Sequence, residues 1–335
     1  MSGPVGIALV GMGWWGQKML NVLQAAPDDI RVVRAVEPNV AAVKDLCAGK
    51  GIPLTADYAD ALSDPAVEAV VLATPHSLHT DQIARAVAAG KHVFCEKPLA
   101  LTKAEAERSV QLCADAGLVL GMGHERRWEP PVAEMLARAD AGELGRIHQI
   151  EANFSHDKFL SLDRDNWRLK ADQAPAGGMT ATGIHLLDLS VRLLGRAESV
   201  LCICEQLSSD LAQGDTVAAY VKFAGGGTSY VSASLANPFM SRFTVYGAKG
   251  WIDIRDKAHV ESPDGWIVTS AMAGGPIETV EVGKAEPVKD NLVSFARAVR
   301  GTEAYPITGA HLVNNIALLE AVFASSRSGR IEQVA

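Results

Sequence analysis

From Val5 to about Met122, short unbroken apolar runs alternate with stretches whose apolar residues return every three or four positions. The runs are Val5–Val10, Arg31–Val36, Ala69–Ala73, His92–Cys95 and Leu118–Met122. They are too continuous for a strand with one wet face, so they predict central parallel strands covered on both sides. The stretches Trp14–Ala25, Val40–Ala48, Thr80–Ala89 and Lys103–Ala116 carry the helical period. Gly90 and Gly117 stand where a helix C-terminus should stop. Strand and helix in alternation with short connections predict a doubly wound parallel sheet.

The pattern changes after Arg126. A helix over Pro131–Ala141 and a strand over Ile147–Phe154 precede a polar stretch, His156–Pro175, with few periodic apolar residues. Another helix is predicted over Ile184–Leu194. Strand-like runs then follow without helices between them: Ser199–Gln206, Thr216–Phe223, Thr228–Leu235, Arg242–Tyr246 and Trp251–Ile254. Gly225-Gly226-Gly227 predicts a hairpin between two of these. Helices over Pro287–Val299 and Gly309–Ser326 close the chain. The expected fold class is therefore α/β, with a Rossmann domain over residues 1–123. An α+β domain with a large, mainly antiparallel sheet is expected over residues 124–335. No repeat or low-complexity linker separates them, so the boundary near Gly123 is expected to be tight.

Composition narrows the function classes. The 335 residues fit about two domains of roughly 150 residues. With 48% hydrophobic and 21% charged residues, a sizeable core can form. The formal net charge of -8 and the lack of a basic run speak against a nucleic-acid partner. No stretch approaches the ~20 apolar residues that span a bilayer. The N-terminal run MSGPVGIALVGMGWWG lacks a basic region and a small-residue cleavage site, so it does not read as a signal peptide. Cys47, Cys95, Cys113, Cys202 and Cys204 show no CxxC and no zinc spacing, which points to a reducing cytoplasm and no metal.

Gly11-Met12-Gly13-Trp14-Trp15-Gly16 is a complete GxGxxG lying between a predicted strand and a predicted helix. The first glycine permits the tight turn, the second lets backbone approach a pyrophosphate, and the third lets helix and strand pack closely. Amide groups at the helix start then face the phosphates. Glu37 ends the second strand about 20 residues further on. A carboxylate there accepts from both ribose hydroxyls and repels a 2′-phosphate. No arginine follows it, only Pro38 and Asn39, so NAD is favoured over NADP.

Three further groups lie past strand ends: Ala73-Thr74-Pro75, His79, and Glu96-Lys97-Pro98. Together with the fingerprint, Gly177-Gly178, Gly183-Ile184-His185, Asp188 and the ending Ala324-Ser325-Ser326-Arg327-Ser328-Gly329-Arg330, they resemble the family of glucose–fructose oxidoreductases and inositol dehydrogenases (Gfo/Idh/MocA). The resemblance covers nearly the whole chain. It implies an NAD-dependent dehydrogenase acting on a secondary alcohol or carbonyl of a sugar, cyclitol or dihydrodiol. Lys97 would exchange a proton with the substrate oxygen. An amine beside a cationic nicotinamide ring loses its proton more readily, which suits it to act near neutral pH. Thr74, Pro75, His79 and Glu96 would help hold the cofactor, and Pro98 would aim Lys97. His185 would polarise the carbonyl or share the proton.

By the same resemblance, Asp188, Glu125, Arg126, Trp167 and Arg168 would meet substrate, an arginine fork holding hydroxyls and a tryptophan face a sugar ring. One departure stands out: family members often carry an aspartate four residues before the histidine, and here that position is Ala181. Glu125, Thr180 and Thr182 are the candidates to replace it. His156, Asp157 and His185 have no metal-ligand spacing. The resemblance also implies a homodimer or homotetramer built on the large sheet. Two rival readings are a redox-neutral glycosidase or lyase that uses NAD transiently, and a noncatalytic NAD- and sugar-binding sensor.

Overall fold

The computed structural model describes residues 3–335. Met1 and Ser2, with which the leader reading begins, lie outside the described residues. The chain forms two compact units, one built from residues up to Glu125 with Glu286–Val313, the other from Arg126–Ala285 with Asn314–Ala335.

The first unit runs β1 (Val5–Val10), α1 (Trp14–Leu23), β2 (Ile30–Val36), α2 (Val40–Gly49), β3 (Leu54–Thr55), α3 (Tyr58–Ser63), β4 (Ala69–Leu72), α4 (His79–Ala88), β5 (His92–Cys95), α5 (Lys103–Asp115) and β6 (Leu120–Met122). The strands form one parallel sheet in the order β3-β2-β1-β4-β5-β6. Every residue of β1 and β4 is buried, as the unbroken apolar runs require. Gly90 and Gly117 follow α4 and α5 with φ of 69° and 66°, the left-handed stop that glycine permits. Strand order reverses between β1 and β4, the place where open parallel sheets collect ligands. β3 and α3 were not expected. The strand has only two residues, too few to show a period, and the helix is marked by a cap, with Asp57 accepting from the Ala59 amide at 2.8 Å.

The second unit begins with α6 (Pro130–Asp140), β7 (Ile147–Ser155) and α7 (Ile184–Leu194). The strands β8 (Ala197–Glu205), β9 (Thr216–Phe223), β10 (Thr228–Ser234), β11 (Met240–Gly247), β12 (Gly250–Asp256), β13 (Trp266–Met272) and β14 (Ile277–Val282) follow without a helix between them. The hairpin expected at Gly225-Gly226-Gly227 joins β9 to β10, closed by Gly226 N to Phe223 O at 3.0 Å. The sheet is antiparallel except for the parallel pair β7–β10. β13 and β14 escaped the sequence reading, because β14 is exposed along most of its length and carries no apolar alternation.

After β14 the chain returns. The helix α8 (Pro287–Val299) was expected in the second domain, and the structure corrects this, since it packs in the first unit. Phe295 meets Phe94 edge-on with centroids 5.6 Å apart, and a Cβ on Gly121 would lie 2.6 Å from the Phe295 ring. Burying Leu292 and Phe295 there stabilises the unit by about 1.5–3 kcal/mol each. The apolar stripe of α8 signals a buried face but not which sheet covers it. Arg300 then grips Glu68 with two hydrogen bonds of 2.5 and 2.8 Å. The last helix, α9 (Gly309–Ser328), leads to β15 (Glu332–Gln333), which pairs with β8 and completes a nine-stranded sheet in the order β14-β13-β12-β11-β7-β10-β9-β8-β15. No helix of the described residues is long and apolar enough to cross a membrane.

Candidate active site

In the first unit, the fingerprint loop leaves β1 at Gly11, whose φ is 87°. A Cβ on Gly11 would lie 2.7 Å from the Ala73 carbonyl oxygen, and one on Gly16 would lie 1.9 Å from that of Gly11. Around Gly13, by contrast, nothing lies within 4 Å of a Cβ. Two glycines are thus demanded by close packing and the third leaves open space, as a diphosphate approaching the backbone needs. No side chain caps α1 and no acid stands in its first turn, so its first amides can serve an anion. Trp15 Nε1 is buried and has no hydrogen-bond partner among the described residues, a donor left for a ligand. Glu37 reaches across from β2: its Oε2 accepts from the Met12 amide at 2.9 Å and its Oε1 from the Asn39 amide at 3.1 Å. These residues fit a dinucleotide with a ribose facing Glu37.

The neighbouring strand ends carry the next groups. Thr74 follows β4 and donates to Gln82 Oε1 at 2.6 Å. A Cβ on Gly11 would come within 3.0 Å of Thr74 Cγ2, so the loop holding Thr74 and Pro75 abuts the fingerprint turn. His79, expected to help hold the cofactor, is fully buried at the start of α4. Its Nδ1 lies 2.9 Å from the Pro98 carbonyl oxygen and its Nε2 3.1 Å from that of Thr74. Glu96, Lys97 and Pro98 follow β5, and the Lys97–Pro98 peptide is cis. Glu96 is buried with its carboxylate against Gly123, where a Cβ would stand 2.6 Å from it. Its Oε2 accepts from the Lys97 amide at 3.3 Å. Behind Gly123, Asn291 Nδ2 donates to Met122 O at 2.9 Å, and the Tyr305 hydroxyl bonds Met122 O and Asn291 Oδ1. Sequence reasoning missed Asn291 and Tyr305 because their segment was assigned elsewhere. Glu125 is buried where the unit ends.

In the second unit, His185 and Asp188 lie one turn apart on α7, both buried. Both oxygens of Asp188 accept from Arg127, each at 2.7 Å, in a pair almost sealed from water. Arg126, also buried, donates to Ser241 Oγ at 2.8 Å, meets Asp256 at 3.0 Å and Glu129 at 3.2 Å, and lies over the Phe154 ring at 5.4 Å. Asp188 and Arg126 were expected to touch substrate; here their charged groups are given to protein partners, which anchors α7 and the turn Glu125–Trp128. Asn166 caps the turn Trp167–Leu169, and Arg168 stacks over Trp167 at 4.3 Å. Gln213 Nε2 donates to Arg168 O at 3.0 Å. A carboxylate on the loop behind it, Asp215, accepts from the amides of Leu207, Ser208 and Ser209 and the hydroxyls of Ser209 and Thr216. Burial works against ionising Asp215, but these bonds outweigh it and hold its pKa at about 2.

Gly177 and Gly178 owe their bareness to packing, since Cβ atoms there would lie 2.2 Å from Gly214 O and 2.8 Å from Ala233 Cβ. Ala181 packs on the apolar cluster of Leu169, Leu211 and Leu235. Two of the three candidate substitutes for the absent aspartate are already engaged, since Thr182 Oγ1 donates to Phe154 O at 2.7 Å and Thr180 Oγ1 to Pro175 O. A ring cluster not expected from sequence surrounds Phe154, with His259 at 5.6 Å, Phe239 at 6.3 Å, His156 at 6.4 Å and His185 at 6.5 Å between centroids. His259 faces Glu261 at 3.2 Å, and Glu261 meets Lys158 at 2.7 Å. No group of three or more His, Cys, Asp or Glu among the described residues is arranged to hold a metal ion.

Residues 5–124 match the family model described as "Oxidoreductase family, NAD-binding Rossmann fold", and residues 132–253 match the "GFO/IDH/MocA C-terminal domain". The chain is 25% identical over 331 residues to D-xylose 1-dehydrogenase (NADP(+)) 2 of Haloferax volcanii, covering 98% of each. It is 26% identical over 269 residues to scyllo-inositol 2-dehydrogenase (NAD(+)) of Bacillus subtilis, covering 77% of this chain and 76% of that enzyme. A solved structure of levoglucosan dehydrogenase in complex with NADH superposes with a TM-score of 0.86 at 21% identity, covering 99% of each chain.

Proposed function

Because this chain belongs to the Gfo/Idh/MocA family of oxidoreductases with an NAD-binding Rossmann domain, we propose that it oxidises a secondary alcohol of a sugar, cyclitol or dihydrodiol with NAD, and catalyses the reverse reduction. The observation that carries the reading is the arrangement at one edge of the first unit's sheet. Gly11, Glu37, Thr74 and Lys97 all follow the C-terminal ends of neighbouring parallel strands, two of them flanking the reversal of strand order.

When bound, the nicotinamide ring accepts or returns a hydride. Lys97 Nζ takes the proton that leaves the substrate hydroxyl, or gives it back to the carbonyl in reverse. The family resemblance gives His185 the role of polarising the carbonyl or sharing the proton. Its ring is steadied by Phe154, and its helix by the Arg127–Asp188 pair. Glu37 selects NAD, since a 2′-phosphate would meet a carboxylate. The stacked Trp167 and Arg168 offer a flat face and a fork of donors to a polyol, and Glu125 serves the same substrate. The sugar and cyclitol named for the two curated relatives support this substrate class.

A homo-oligomer is proposed from the open face of the second sheet. There Leu201, Tyr220 and Tyr230 stand in register across three strands and are exposed, with Ile203 beside them. The thiols, all unpaired, support a reducing compartment.

The test is NADH absorbance with the purified protein against sugars, sugar acids, cyclitols and aromatic dihydrodiols, NAD and NADP in parallel. A substrate-dependent rise that is faster with NAD is expected. A preference for NADP would overturn the role given to Glu37, and silence across the panel with NAD bound would overturn the dehydrogenase reading.

A further inference from the structure

His79 is a titratable side chain fully buried near the strand ends. Both of its ring nitrogens face carbonyl oxygens, that of Pro98 at 2.9 Å and that of Thr74 at 3.1 Å. An oxygen of this kind only accepts, so each nitrogen needs a proton to bond it. The two carbonyls belong to different loops. One follows β5 and carries Lys97. The other follows β4 and lies against the fingerprint turn, so closely that a Cβ on Gly11 would come within 2.9 Å of the Ala73 carbonyl carbon.

We infer that His79 is a positioning residue: it clasps the loop of Lys97 to the loop of Thr74, and so sets the proton-transfer amine against the cofactor while touching neither cofactor nor substrate. The inference rests on the reading of Lys97 and NAD given above. The clasp works through backbone, because Pro98 and Thr74 are held by their carbonyls and not by their side chains. The imidazole spans both loops at hydrogen-bond distance. A buried neutral ring has one N–H, so it donates to one carbonyl at a time and holds the other loop by contact. Burial keeps the ring's pKa below its ordinary value, against the opposing pull of the carbonyls of Pro98, Thr74 and Leu99.

Two substitutions divide the clasp. In His79→Asn the amide nitrogen falls near the Nδ1 position, keeping the Pro98 bond and losing that to Thr74. In His79→Gln it falls near Nε2, keeping the Thr74 bond and losing that to Pro98. With the full chain, NADH affinity is read by fluorescence titration, turnover by NADH absorbance and folding by thermal melting. His79→Gln is expected to lower kcat by about tenfold with NADH affinity nearly unchanged, and His79→Asn to weaken NADH binding about tenfold with a much smaller loss of kcat. A structural role alone gives both variants the same profile, whether a uniform loss that tracks melting temperature or no change, and that result overturns the inference. If the unaltered protein binds NADH and loses turnover in Lys97→Ala while the two variants behave alike, the clasp fails and the dehydrogenase reading stands. If the unaltered protein binds no NADH, the reading fails and takes the clasp with it.

Discussion

At the scale of residues, the three fingerprint glycines differ in what a side chain at each would meet. A side chain on Gly11 or Gly16 would strike backbone atoms, whereas one on Gly13 would meet open space. On the proposed reading, Glu37 sets the cofactor preference. Glu37→Ser should improve NADP relative to NAD by about tenfold or more, measured as the ratio of kcat/KM values, because a carboxylate no longer faces the 2′-phosphate. An unchanged ratio would remove Glu37 from the ribose site. The Arg127–Asp188 pair was not legible in the sequence. The family resemblance implies that Asp188 meets substrate, and nothing along the chain announces that an arginine 61 positions earlier bonds both its oxygens. Asp188→Asn removes the charge of this bidentate partner from a buried guanidinium and should cost about 3–5 kcal/mol of stability, seen as a lowered denaturation midpoint. A midpoint within error of the unaltered protein would show the pair to be dispensable.

At the scale of elements, length and exposure decided what could be read. β1 and β4 are buried throughout and were plain, whereas β3 and α3 were too short, and β14 too exposed, to show a period. α8 was found at its observed limits yet placed in the wrong domain, since periodicity marks a buried face without naming its cover. What names the cover is the Phe94–Phe295 contact and the grip of Arg300 on Glu68. Arg300 and the amide of Gly6 hold the Glu68 carboxyl at about 2, against an ordinary value of 4.5. A folded pKa below the unfolded one adds stability above the unfolded value, and that share is lost as pH falls from about 4.5 toward 2. Glu68 is partly exposed, so the effect is modest and salt-screened. Thermal melts between these limits should fall less steeply with acid in Glu68→Gln than in the unaltered protein. Parallel curves would show the bond to be unimportant for α8.

At the scale of the whole molecule, the class was legible because composition, strand–helix alternation and motif context agreed, and the family models cover both parts of the chain. The return of 286–313 to the first unit was not, since a sequence read in order invites a single cut. The open sheet face gives the assembly prediction. Tyr220→Glu places a charge in the row of Leu201, Tyr220 and Tyr230, and should shift sedimentation toward the monomer with the fold retained. Unaltered sedimentation would exclude that face.

If Lys97 moves the proton in an NAD-linked oxidation, the decisive variant is Lys97→Ala. It should bind NADH with nearly the original affinity while substrate-dependent NADH formation falls by about 10²-fold or more. Turnover undiminished in Lys97→Ala would contradict this role.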